Sequence, residues 1–346
     1  MKSLVVKATG MVTCVGFNAR SSCAAIRGRI SGVAESNLWD AKRGVLIKAG
    51  KVSLPQWWDG TGKLAELVAP AIHECIVDAL PIRPTDIPIL LGVADEERPY
   101  RYEGLDDELL EEIESRLNIP HNVNSRLIPR DRVSGIVGLM EARELVERGK
   151  AAACIVAGVD SFLNQSVVEA YLERRRIVTA GNSNGFFPGE AGCAVLVGPS
   201  SSGREDELEI LGFGSARETA TIDSDKPMRA EGMTKAVRAA LADARIAMHD
   251  TAYRITDLNG EHYKFKEAAF TLGRLMQKKT IDLYDLWHPI EFLGDIGAAI
   301  VPCVLAVALH AGQKRYEPGS RAVCHFGSDN GERAVVITQF QPKKVS

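Results

Sequence analysis

Gly185-Phe186-Phe187-Pro188-Gly189-Glu190-Ala191-Gly192 runs straight into the apolar stretch Cys193 to Val197. A glycine-punctuated turn feeding a short apolar run reads as the entry to a buried strand. The runs 4–9, 87–92 and 153–158 have the same character and are bounded by Gly or Pro. Their near-continuous apolar content fits strands covered on both faces. Helical patterns alternate with them, which argues α/β with a mixed or mainly parallel sheet.

Outward from that turn, a wider pattern emerges. Val5 to Asn18 reads as a first strand and turn, followed by a helix from Ser21 to Ile30 and the turn Ser31-Gly32. Leu64 to Leu80 is helical and leads to Ile87-Pro88-Ile89-Leu90-Leu91-Gly92. Ala151 to Ser161 contains Gly158-Val159-Asp160-Ser161. Met233 to Ala244 is an amphipathic helix preceding a strand and loop from Tyr253 to Glu261. Glu291-Phe292-Leu293-Gly294-Asp295-Ile296-Gly297 and Cys324-His325-Phe326-Gly327-Ser328-Asp329-Asn330-Gly331 follow, the latter before a strand from Ala334 to Thr338.

In that order these segments resemble the β-ketoacyl-acyl-carrier-protein synthases of the thiolase superfamily, nearly end to end. Gly185 to Gly192 is similar to the family's "DGFVxGEGAG" with one Gly missing. The resemblance implies a thiolase-like fold. Two similar halves with mixed five-stranded sheets would form α-β-α-β-α layers, with halves at 1–202 and 203–346. The polar stretch Pro199 to Asp206 suits a linker between them.

Composition narrows the function classes. At 346 residues and 45% hydrophobic content the chain can bury a large core. A formal charge of -3 gives no basic footprint for nucleic acid. No run reaches the roughly 18 apolar residues of a membrane span, and Met1-Lys2-Ser3-Leu4 lacks the apolar stretch of a signal peptide. A cytoplasmic location is therefore expected. The cysteines, among them Cys75, Cys154, Cys193 and Cys303, are scattered through apolar segments and none shows metal-ligand spacing. They read as buried free thiols, with no metal or cofactor expected. Asp106 to Glu114 reads as an acidic helix with a solvated face, and Trp57-Trp58 as an excursion packed onto the body.

The resemblance sets the catalytic positions, and these depart from the family. A condensing enzyme loads its acyl group on a cysteine at a helix N-terminus, where the thiolate is favoured. Histidines, or a histidine and an asparagine, then supply hydrogen bonds to the developing oxyanion. The family's "CSxG" maps onto Arg132-Val133-Ser134-Gly135, ahead of a helix from about Ile136 to Arg148 that ends at Gly149. A slip of one residue would put Val133 at the nucleophile position, and a slip of two, Ser134. Arginine stays protonated and cannot attack. The histidine of "NAHGT" maps onto Asn259, a competent donor. The histidine of "HxxGAAG" maps onto Glu291, whose carboxylate would repel an enolate. Arg132 opposite Glu291 is therefore expected to form an ion pair plugging the former active site, with Asn259 taking a remaining donor.

Other candidates for chemistry are Cys324 with His325, His288 and Ser134. Cys324 lies where thiolases carry a second cysteine, and Ser134 would need a base beside it. His288-Pro289 is similar to a thiolase "GHP" but needs a three-residue insertion before Gly294. His262, near Asn259, reads as an exposed loop residue. The leading expectation is a degenerate synthase acting as a binding partner or scaffold. A chain-length-factor-like role implies a homodimer or a heterodimer with a synthase, and contact with acyl carrier protein or other cargo. The alternatives are an active acyltransferase of fatty-acid or secondary-metabolite synthesis, and an acyl- or carboxylate-binding module in which Arg132 grips the ligand.

Overall fold

The computed structural model describes residues 3–56, 59–79, 81–201, 206–276, 278 and 284–343. Trp57-Trp58 lies outside the described residues, as does the divide at 202/203. In chain order the first half contains β1 (Leu4–Val12), α1 (Ala19–Arg27), β2 (Val33–Asp40), β3 (Val45–Gly50), α2 (Gly60–Asp78), β4 (Ile89–Val93) and α3 (Leu105–Leu117). It continues with β5 (Arg126–Pro129), α4 (Ser134–Glu147), β6 (Cys154–Ser161), α5 (Gln165–Glu173) and β7 (Glu190–Pro199). The second half contains β8 (Glu207–Arg217), α6 (Glu231–Ala244), β9 (Tyr253–Thr256), α7 (His262–Leu275) and β10 (Asp285–Trp287). It closes with α8 (Ile290–Leu293), α9 (Ile300–Gln313), β11 (Arg321–Gly327) and β12 (Glu332–Gln341).

The strand order is β10-β9-β11-β12-β8-β1-β7-β6-β4-β5. Each half supplies one five-stranded mixed sheet with the same pattern. In the first, β5, β4 and β6 run parallel while β7 and β1 follow antiparallel. In the second, β10, β9 and β11 run parallel, and β12 and β8 follow antiparallel. Among the described residues the two sheets join where Val5 and Val6 of β1 meet Glu209 and Leu208 of β8.

Helices cover both faces. α2 and α3 pack outside the first sheet, and α6 and α7 outside the second. α4 and α9 lie between the sheets and touch strands of both halves. α9 explains its own position, because Ile300 through Leu309 are all buried and it is apolar around its whole circumference. The result is the expected α-β-α-β-α layering. α3 buries Leu105, Leu109 and Ile113 at helical spacing and leaves its acidic face outward. α4 stops at Gly149, whose left-handed φ of 67° suits the residue after a helix end. Among the described residues no helix is long and apolar enough to cross a membrane.

Candidate functional site

The start of α4 faces the second half across the central layer. Asp131, with a positive φ of 52°, turns the chain into α4 and is followed by Arg132. The Arg132 side chain is entirely removed from solvent. Its Nη1 donates to Asp131 Oδ2 at 2.8 Å and its Nη2 to Asp295 Oδ2 at 2.6 Å. Asp329 Oδ1 stands 3.7 Å from Nη1, and Nε has no hydrogen-bond partner. Asn259 Nδ2 donates to the same Asp295 oxygen at 2.7 Å. Burial opposes the arginine's charge, but the Asp131, Asp295 and Asp329 carboxylates hold its pKa well above the ordinary value. Burial would raise Asp295, yet Arg132 and Lys264 together with two hydrogen bonds pull it down to about 2.

This cluster is part of a larger buried network. Arg98 forks onto Asp160 at 2.5 and 2.7 Å and also donates to Asp131 at 2.7 Å. Arg176 forks onto Glu261 at 2.6 and 2.9 Å and reaches Asp329 at 2.7 Å. The Phe162, Tyr171 and Phe186 rings meet edge-on. Arg98 lies 4.1 Å from the Phe162 ring centre. Gly297 must lack a side chain, because a Cβ there would sit 1.9 Å from Asp160 Oδ2. Burial pushes the Asp131 carboxyl up, and the neighbouring Arg132 and Arg98 oppose that rise. Outside the network a cleft of about 220 Å³ remains, lined by Asp95, Arg98, Tyr171 and Asp329 among others.

The expected Arg132–Glu291 ion pair is not formed. Glu291 is on α8, whose Ile290 and Leu293 face the core, and its side chain is 59% exposed beside His288 at 3.7 Å. The carboxylate that meets Arg132 belongs to Asp295. Gly294, at a φ of 73°, reverses the chain after α8. The Asp295 N–H then donates to Phe187 O at 2.7 Å. The turn Gly185 to Gly192 thus anchors the loop that carries Asp295, and Pro188 bridges directly to it.

The remaining candidates are placed as follows. Ser134 is buried, and its Oγ is tied to Ile128 O at 2.9 Å, Val93 O at 3.4 Å and the Arg130 N–H at 3.2 Å. No base adjoins it among those partners. Cys324 and His325 are neighbours on β11 and so point to opposite faces. Cys324 belongs to the central apolar core, where burial pushes its thiol up to about 12. His325 lies on the other face with both ring nitrogens unpartnered, and burial, with Arg254 nearby, pushes it down to about 3. They form no nucleophile–base pair. His288 is half-buried against Phe265, and burial lowers its pKa. His262 opens α7 on the exposed side.

Glu190 of the opening motif is fully buried, accepting from Ser161 Oγ at 2.8 Å and pairing with Lys63 at 2.6 Å. All seven cysteines are free. Among the described residues no group of three His, Cys, Asp or Glu side chains is placed to hold a metal ion. Sequence reasoning missed Arg98, Asp160, Arg176, Glu261 and Asp329. Asp160 and Asp329 did sit inside segments that the resemblance had flagged.

No family model and no curated protein sequence matches the chain. Solved structures match it closely in shape. A type II PKS acyl-carrier protein in complex with its ketosynthase bound to the hexaketide aligns with a TM-score of 0.79 at 14% identity, covering 98% of this chain and 99% of that one. A ketosynthase in complex with its chain length factor from Xenorhabdus doucetiae aligns at 0.77 and 13% identity, over 98% of each chain. The ketosynthase from module 6 of the bacillaene synthase from Bacillus subtilis aligns at 0.79 and 13%, covering 99% of this chain and 72% of that one. At such identities the likeness carries the fold alone: the chain has the thiolase-like fold of ketosynthases and chain length factors.

Proposed function

We propose that the protein is a catalytically silent member of this fold that works as a binding partner, in the manner of a chain length factor. The observation that supports this most is the Arg132 guanidinium. It stands where the resemblance puts a nucleophile, and Asp131 and Asp295 occupy both of its terminal nitrogens. A thioester cannot form there, and an enolate would meet a carboxylate instead of a donor. The same contacts weigh against Arg132 gripping a ligand. The buried Cys324 thiol and the saturated Ser134 hydroxyl weigh against a relocated nucleophile.

A partner surface is at hand. Among the described residues β5 ends the sheet, pairs with β4 alone and leaves its other edge free of sheet pairing. Beside it a groove of about 780 Å³ runs between α4 and the ends of β8 and β12, with Met140 exposed on its wall. We place a second thiolase-fold chain there, either a copy of this one or an active synthase. Such contacts commonly bury roughly 2,000 Å² or more. The deciding experiment is to incubate the protein with acyl-CoA and with acyl-loaded carrier protein and record intact masses, beside an active synthase. The proposal expects no adduct. An adduct that disappears in Cys324→Ala overturns it.

A further inference from the structure

Apart from the Arg132 cluster, α1, β10, α8 and α9 enclose a separate pocket of about 230 Å³. It shares no lining residue with the cleft beside Arg98 and Asp329. Trp287, Phe292, Val307 and Tyr316 supply its apolar walls. Trp287 is held rigidly, tilted against Tyr253 at 4.8 Å on one side and stacked with Tyr316 at 6.0 Å on the other. The Tyr316 hydroxyl is fixed by His310 Nδ1 at 3.1 Å. Flat, preset aromatic walls of this kind favour a planar ring over a flexible chain.

The rim carries charge without a partner. Arg27 lies 4.5 Å from the centre of the Tyr316 ring. Arg29 lines the same opening two residues on. Neither has a carboxylate within ion-pair distance among the described residues, whereas Arg98, Arg132, Arg176 and Arg333 are all paired. Two guanidiniums at an aromatic pocket mouth suit an anion, and a carboxylate matches their planar donor fork. Glu291 also lines the pocket and sets a limit. It repels a doubly charged group more than a single charge. The volume falls below the roughly 300–1,000 Å³ of drug-sized sites, so one ring or a fused pair fits.

From this geometry we infer that the pocket between Trp287, Tyr316 and Arg27 binds a small planar aromatic monocarboxylate. The inference does not depend on how the Arg132 region is interpreted. The test is calorimetric titration of the full chain with 2-naphthoate, its neutral analogue 2-naphthol, and 2-naphthyl phosphate. Saturable one-to-one binding of 2-naphthoate with a Kd below about 1 mM is expected. Binding should weaken roughly tenfold in Arg27→Gln, an exposed substitution, and for 2-naphthol. Val307→Trp should fill the pocket and abolish it. The melting temperature of each variant checks that it has folded. No saturable heat overturns the inference, as does equal binding by Arg27→Gln or of 2-naphthol. Tighter binding of the phosphate overturns the assignment to a monocarboxylate.

Discussion

Arg132 Nη2 and Asp295 Oδ2 meet at 2.6 Å with neither side chain reaching solvent. One comes from the first half and the other from the second, so the contact fastens the halves together across the central layer. Removing only the arginine strands the Asp295 charge in the interior, a loss worth about 3–5 kcal/mol. Arg132→Met should therefore unfold at markedly lower denaturant. Arg132→Met with Asp295→Asn should regain about 1–3 kcal/mol of that loss through coupling between the two positions. Strict additivity of the single substitutions in urea unfolding would show that the pair is not a unit.

Glu291 provides the contrasting case. Its carboxylate is mostly in water, with His288 Nδ1 at 3.7 Å. Exposed pairs of this kind contribute about 0–1 kcal/mol. Glu291→Ala should shift the urea midpoint little, while Asp295→Ala should shift it strongly. A large effect at Glu291 would return that residue to the site.

This contrast marks what the sequence made legible. Strand and helix positions could be read because apolar runs and helical periodicity extend over many residues. The helix read from Leu64 overlaps α2, and Gly149 closes α4 as its glycine suggests. The assignment of Arg132 to the family's nucleophile position rested on Ser134-Gly135 and Gly149, which follow it. Its partner was not legible, because the frame there rested on Gly294 and Gly297 alone. Spacing between two glycines cannot reveal that the left-handed turn at Gly294 aims residue 295, and not 291, into the interior. Arg98 and Arg176 escaped for another reason: their meaning comes from carboxylates 62 and 85 residues away in the chain.

His325 predicts a pH dependence whose sign follows from its burial. Its pKa in the folded protein is pushed to about 3, against an ordinary 6.5. The unfolded chain therefore binds a proton at this residue that the folded chain refuses. The stability linked to His325 is complete above about pH 6.5 and falls as pH drops toward 3, by at most about 1.4 kcal/mol per unit. Asp295 adds a second, more acidic window. Depressed to about 2 from 3.8, it contributes stability above 3.8 that is lost as pH falls toward 2. His325→Leu should flatten the decline between pH 6 and 3 and leave the decline below pH 3 intact. It should also raise stability at pH 7, since both ring nitrogens are buried without partners. Parallel curves for the two proteins in urea unfolding across pH would contradict this.

A thiol placed at position 132 should not by itself bring acyl transfer. In Arg132→Cys the new side chain sits two residues ahead of α4, close to the helix N-terminus, whose dipole favours a thiolate. Asp295, next to it and freed of its arginine, opposes that ionisation in a buried setting where charges interact strongly. Its carboxylate would also face any developing oxyanion. Arg132→Cys should therefore alkylate with iodoacetamide at pH 8 at least about tenfold more slowly than free cysteine, and take no acyl group from acyl-CoA. Arg132→Cys with Asp295→His exchanges the carboxylate for a hydrogen-bond donor, so the thiol should become markedly more reactive. Far-UV circular dichroism must first show that both variants are folded. If the single variant acylates as readily as the double one, the carboxylate is not what silences the site. The replacement of the nucleophile alone would then account for the inactivity expected of the natural chain.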